Sequence, residues 1–190
     1  MEETIQKIFQ ESLEVKQQTL KNNAAIIKQA AEEIIGALKN HRKLFFFGNG
    51  GSAADSQHIA AEFVGRFQKE RQPWPAIALT TDSSILTALG NDYGFDIVFA
   101  RQIKALGNSG DIAIGISTSG NSPNVIEGLR QAKALGMKTI GLTGGDGGKM
   151  AGLSDLTIIV PSRRTARIQE THILIAHTLC QLAEDALTVA

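Results

Sequence analysis

The sequence predicts an α/β protein: a three-layer, doubly wound sandwich around a five-stranded parallel sheet, with an N-terminal helical arm. Three observations predict it. Five short apolar or β-branched runs, Lys43–Phe47, Ala76–Thr80, Asp111–Ser117, Lys138–Thr143 and Leu156–Val160, are bounded by Gly, Pro, Ser or Asp. Helical stretches separate them, so the chain alternates strand and helix from residue 43 onward. The runs are near-continuously apolar rather than alternating, as in strands covered by helices on both faces.

The elements follow in order. Residues 2–20 and 22–39 read as two helices, the first carrying Ile5, Ile8, Phe9 and Leu13, the second Ile27, Ala31, Ile34, Ile35 and Leu38. Residues 1–40 thus form an arm that either caps the core or packs on a neighbouring subunit, and 41–190 form the sheet domain, with no linker long enough to divide the chain. Ser122–Leu135 reads as a helix, with Pro123 at its start and Gly136 as a stop. Right-handed crossovers place the helices on both faces of the sheet.

Composition excludes several classes. The 190 residues carry 19 Lys+Arg against 19 Asp+Glu and no basic block, which argues against nucleic acid as a partner. No apolar run approaches the roughly 18 residues of a membrane span, and the charged N-terminus lacks a signal-peptide core. The single cysteine, Cys180, rules out an intramolecular disulfide and fits a reducing compartment. A cytoplasmic protein is expected.

Ligands of parallel sheets bind at the carboxyl ends of the strands, and two loops there stand out. Gly48-Asn49-Gly50-Gly51-Ser52 follows the first strand and opens a helix from Ala53; its glycines admit a ligand close to the backbone amides. Gly48-x-Gly50-x-x-Ala53 also meets a relaxed dinucleotide pattern, but the nearest acid after the second strand, Asp82, lies too far along for the ribose contact, which falls about 20 residues on. Ser117-Thr118-Ser119-Gly120-Asn121-Ser122 follows the third strand and offers four hydroxyls at a helix start, a cradle for a phosphate monoester without any lysine. Ser122 also reads as a helix N-cap.

Two helices carry titratable groups. His58 and Glu62 are spaced i, i+4 just after the glycine loop and are either a surface ion pair or a metal-ligand or acid/base pair. Gln169, Glu170, His172 and His177 share the last helix; Gln169 and His177 are separated by about 12 Å of rise and about 80° of rotation. Asn91-Asp92-Tyr93-Gly94 reads as a turn within reach of a sugar hydroxyl, and Gly144–Lys149 as a loop of weak functional content.

Taken together, Phe47–Ser52, His58-x-x-x-Glu62, Gly90-Asn91-Asp92, Gly115–Ser122 and Arg167–Glu170 resemble the sugar isomerase (SIS) domain and, within it, the phosphoheptose isomerases, over essentially the whole chain. The resemblance implies a homotetramer with active sites near subunit interfaces, isomerising sedoheptulose 7-phosphate to D-glycero-D-manno-heptose 7-phosphate. That step leads toward ADP- or GDP-heptose for lipopolysaccharide or other surface glycans. It implies that Ser117, Thr118, Ser119 and Ser122 bind phosphate, and that Asn49, Gly50, Gly51, Asn91 and Asp92 contact sugar. It further implies that His58, Glu62, Gln169 and His177 hold one zinc ion per subunit, with Glu62 and Gln169 also touching substrate. Glu62 then serves as the base and His177 exchanges protons with the sugar oxygens. A related non-catalytic SIS protein, which associates with a replication initiator, resembles Pro161–Arg167 more closely; Glu62 and His177, absent from that group, favour the enzyme. Isomerisation of another phosphosugar is the other alternative.

Overall fold

The computed structural model describes residues 1–188. Five parallel strands, β1 (Leu44–Gly48), β2 (Ala76–Ala78), β3 (Ile112–Ser117), β4 (Lys138–Gly144) and β5 (Leu156–Val160), form one sheet in the order β2-β1-β3-β4-β5. The helices are α1 (Glu2–Lys39), α2 (Gly51–Val64), α3 (Ser83–Tyr93), α4 (Val98–Leu106), α5 (Pro123–Ala134) and α6 (Thr165–Leu187). The expected α/β sandwich is therefore present, with β2 ending two residues early.

Side-chain alternation builds the three layers. Ile112, Ile114 and Ile116 of β3 point to a core shared with α1, α2 and α6. Phe45 and Phe47 of β1 point the other way, into a core with α4 and α5. On that second face β3 carries Gly115, where an added Cβ would stand 2.9 Å from Val125 and 3.1 Å from Leu129. The small residue lets α5 lie close to the sheet.

The arm departs from the sequence reading. Residues 2–39 form one continuous 38-residue helix rather than two. Leu20-Lys21-Asn22 contains neither Gly nor Pro, so the change in the apolar pattern there marks the passage from a face left exposed in the single chain (Ile5, Phe9, Leu13) to one buried in the core (Ala31, Ile34, Leu38), not a break. The helix lies over the edge strand β5, and buried Asn23 closes that edge: Ile159 N–H donates to Asn23 Oδ1 (3.2 Å) and Asn23 Nδ2 donates to the Ile159 carbonyl (3.0 Å). A sheet edge that would otherwise present unpaired backbone groups is thus covered.

Helix α6 is tied to the sheet by His172. Its ring is buried and its Nε2–H donates to the Thr143 carbonyl at 3.0 Å, while Nδ1 has no partner. Burial drives the His172 pKa down from 6.5 to about 4, against the raising effect of that hydrogen bond. The folded state therefore binds fewer protons than the unfolded chain between about pH 4 and 6.5. Stability rises with pH across that window and is lost as pH falls through it, by about 3 kcal/mol. Urea unfolding at pH 4.5 and pH 7 tests this. His172→Gln, which keeps an amide donor for Thr143, is expected to lose clearly less stability between the two pH values than the wild type.

Candidate active site

In a sheet of order 2-1-3-4-5, the connections from β1 and β3 leave toward opposite faces, opening a crevice between their carboxyl ends. Both loops singled out in the sequence flank that crevice. The first turns from β1 into α2 through Gly50, whose φ of 55° suits glycine, and the helix begins at Gly51, two residues before the expected start. The second turns from β3 into α5 through Gly120 (φ 66°). A Cβ on Gly120 would run into the Gly147 carbonyl, so the loop after β4 packs directly on the serine loop.

Reciprocal amide bonds lock the two loops together. Asn49 Nδ2 donates to Asn124 Oδ1 (2.9 Å) and Asn124 Nδ2 donates to Asn49 Oδ1 (2.8 Å). The Asn49 side chain is therefore engaged across the crevice, with a partner the sequence did not single out.

The hydroxyls converge as well. Ser117 Oγ lies 2.8 Å from Ser122 Oγ and 3.4 Å from Ser119 Oγ. Ser122 precedes α5 as expected, but its hydroxyl makes no capping bond to the helix; it faces Ser117 instead. A cavity of about 240 Å³ opens beside the cradle, lined by Thr118, Ser119, Asp146, Ser162, Arg163 and Thr165. The Gly144–Lys149 loop, read from sequence as functionally weak, supplies one wall of it.

Helices α2 and α6 bring the titratable groups together. His58 Nε2 lies 3.4 Å from Glu62 Oε1 on the same helix and 2.9 Å from His177 Nε2 on α6. The rings of His58 and His177 meet edge to face at 5.1 Å, and Phe67 packs on His177 at 5.5 Å. Ligand atoms of His58, Glu62 and His177 all lie within 4.8 Å of one another, a group that could hold a metal ion. Two imidazole nitrogens and a carboxylate oxygen suit a borderline-soft divalent cation.

Gln169 also reaches this region: a Cβ on Gly51 would overlap its side-chain amide. Next to it sits Asp55, one turn before His58 and missed by the sequence reading, with Oδ2 buried and unpartnered. Burial pushes the Asp55 carboxyl above the usual carboxylate range; a hydrogen bond from Gln169 and the neighbouring His58 and His177 pull the other way. The i, i+3 spacing of Asp55 and His58 was the available signal.

Not every candidate joins the cluster. Asn91 and Asp92 are exposed within the last turn of α3, where Asn91 Nδ2 donates to Asp92 Oδ1 (2.8 Å). His172 faces the sheet, as described above.

The architecture and the paired loops define an α/β domain of the SIS class, and the family model for the SIS domain matches residues 8–144. The phosphoheptose isomerase of Aquifex aeolicus is 60% identical over 185 residues, covering 97% of each chain. That of Aliarcobacter butzleri is 57% identical over 162 residues, covering 85% of this chain and 86% of its own. The structure of phosphoheptose isomerase from Neisseria gonorrhoeae superposes with a TM-score of 0.92 at 49% identity, covering 97% of this chain and 98% of that one. The chain belongs to the phosphoheptose isomerase family, whose members are phosphosugar isomerases.

Gly51→Ala tests the placement of Gln169. Alanine suits a helix better than glycine, so stability is expected to hold within about 1 kcal/mol. The displaced amide is expected to weaken divalent-cation binding by about tenfold or more, read by calorimetric titration of metal-stripped protein.

Proposed function

We propose that the protein interconverts sedoheptulose 7-phosphate and D-glycero-D-manno-heptose 7-phosphate through an enediol. The convergence of Glu62, His58 and His177, on helices that start from or pack against the glycine loop, supports the reading, together with the clustered hydroxyls of the loop after β3. Ser117, Thr118, Ser119 and Ser122, with the amides at the start of α5, hold the phosphate. Held there, the sugar presents C1 and C2 to the α2–α6 cluster, and tethering lowers the entropic part of the barrier. Gly50, beside which a Cβ would meet nothing within 4 Å, and the backbone of Asn49 leave room for the sugar chain, while Gly51 reaches it only through its neighbour Gln169. Asn91 and Asp92 point outward in the single chain, so their sugar contact requires the chain's neighbours or a movement of α3.

The chemistry moves two sets of protons. Glu62 removes a proton from C1 of the ketose while the C2 oxygen gains one, giving the enediol. Glu62 then delivers a proton to C2 and the C1 oxygen loses its own, leaving the aldehyde. His177 exchanges the oxygen protons. A positioned acid or base of this kind contributes roughly 10²–10⁴-fold. His58, Glu62, Gln169 and His177 would hold one zinc ion, which supplies Lewis-acid polarisation of the substrate carbonyl when bound. Glu62 is both ligand and base in this scheme, so the ion is loosely held or serves to position.

Assembly as a homotetramer is supported by the apolar stripe of α1 (Ile5, Phe9, Leu13, Leu20) and by Leu174 and Leu182 on α6, all exposed in the single chain. The product would feed a nucleotide-activated heptose for surface glycans. Among the described residues no helix is long and apolar enough to cross a membrane.

Incubation with sedoheptulose 7-phosphate, following aldose formation with and without chelator, tests the reading. Glu62→Gln is expected to bind the sugar phosphate with near-unchanged affinity and to lose at least about 10²-fold in turnover. Retained turnover removes Glu62 as the base. Absence of turnover by the wild type on this ketose, with turnover on another, reassigns the substrate.

A further inference from the structure

The 65–75 connection between α2 and β2 contains an arginine whose three side-chain nitrogens are all engaged. Arg71 is buried, and its Nη2 donates to the Glu62 carbonyl at 2.7 Å. Its Nη1 donates to the carbonyls of Phe63 (3.0 Å), Gly65 (3.3 Å) and Gln72 (3.0 Å), and its Nε to Glu184 Oε1 at 3.2 Å. Its guanidinium lies 3.6 Å over the Trp74 ring. The carbonyls of Glu62 and Phe63 belong to the last turn of α2, where no intrahelical partner exists, so Arg71 caps the helix that bears Glu62.

Glu184 completes the arrangement from α6. Its Oε1 accepts from Phe67 N–H (3.1 Å), and its Oε2 accepts from Gln68 N–H and Lys69 N–H (both 2.8 Å). Glu184 stands seven residues after His177, two helical turns along nearly the same face of α6. Phe67, whose amide Glu184 holds, is also the ring packed on His177.

We propose that Arg71, paired with Glu184, is a positioning residue for the isomerisation: the pair fixes the end of α2 bearing Glu62 against the face of α6 bearing His177. The inference rests on the roles given to Glu62 and His177 above. Arg71 touches neither substrate nor metal; it acts through the backbone of Glu62 and the seat of Phe67. The planar fork matters, because an ammonium cannot serve four carbonyls and a carboxylate from one place.

Arg71→Lys is the test, with two readouts on protein shown to unfold cooperatively. Expected are a fall in kcat of about tenfold or more with KM for sedoheptulose 7-phosphate within about threefold, since the hydroxyl cradle lies on β3 and α5. Also expected is a fall of about tenfold or more in zinc affinity, titrated into metal-stripped protein. A purely structural role predicts a lower melting temperature with kcat per folded molecule and zinc affinity unchanged, and that result overturns the proposal. Should Arg71→Lys fail to fold, Glu184→Gln, which keeps an oxygen for the backbone amides, is decided by the same two measurements. A wild type that does not isomerise the ketose contradicts the proposed function instead, and the zinc titration still judges the clamp.

Discussion

The close approach of α2 and α6 at the carboxyl edge of the sheet is the constraint on which the rest depends. Two imidazole nitrogens 2.9 Å apart, one on each helix, are brought together by residues separated by 119 positions in the chain. Nothing in either helix alone makes such a pair. It follows from a parallel sheet whose first crossover helix and last helix lie on the same face, packed on one core of Ile and Phe side chains from β1, β3 and β4. That core orients the two helices, and polar contacts set their register: His172 ties α6 to β4, Gln169 sits on Gly51, and Glu184 grips the 67–69 backbone.

The second constraint is the strand order. Reversal of the winding direction between β1 and β3 parts the two loops that follow them, and the Asn49–Asn124 amide pair sets how far they part. The loop after β3 offers hydroxyls and backbone amides but no lysine, in keeping with a chain of zero formal charge.

Much of this was legible in the sequence. The five strands could be found because burial on both faces leaves an apolar signature and because glycines and serines punctuate their ends. The serine loop was legible because four hydroxyls exceed what one helix cap needs. The continuity of the arm is hidden in the sequence because its apolar face is exposed in the first half and buried in the second, which shifts the apolar phase without any breaker; Asn23, polar in sequence, is buried through two bonds to one residue of β5. His172 and His177 looked alike in a list of residues, yet five positions on a helix turn them about 140° apart. One therefore faces the sheet and the other faces α2. Asp55 offered only its i, i+3 spacing from His58 as a signal, and Arg71 offered none, since it owes its setting to Glu184, distant in the chain, and to backbone carbonyls that carry no sequence label.

In the proposed enediol pathway the protons are carried by a carboxylate and an imidazole that both reach solvent in part. Glu62 is a fifth exposed and His177 is only partly buried, so a proton taken from carbon has a route to exchange with water before its return. Conversion of sedoheptulose 7-phosphate in deuterium oxide, with the aldose examined by proton NMR, tests this most directly. Solvent deuterium at C2 of the product is expected. A product whose C2 hydrogen comes wholly from C1 of the substrate, with no deuterium incorporated, would contradict the pathway.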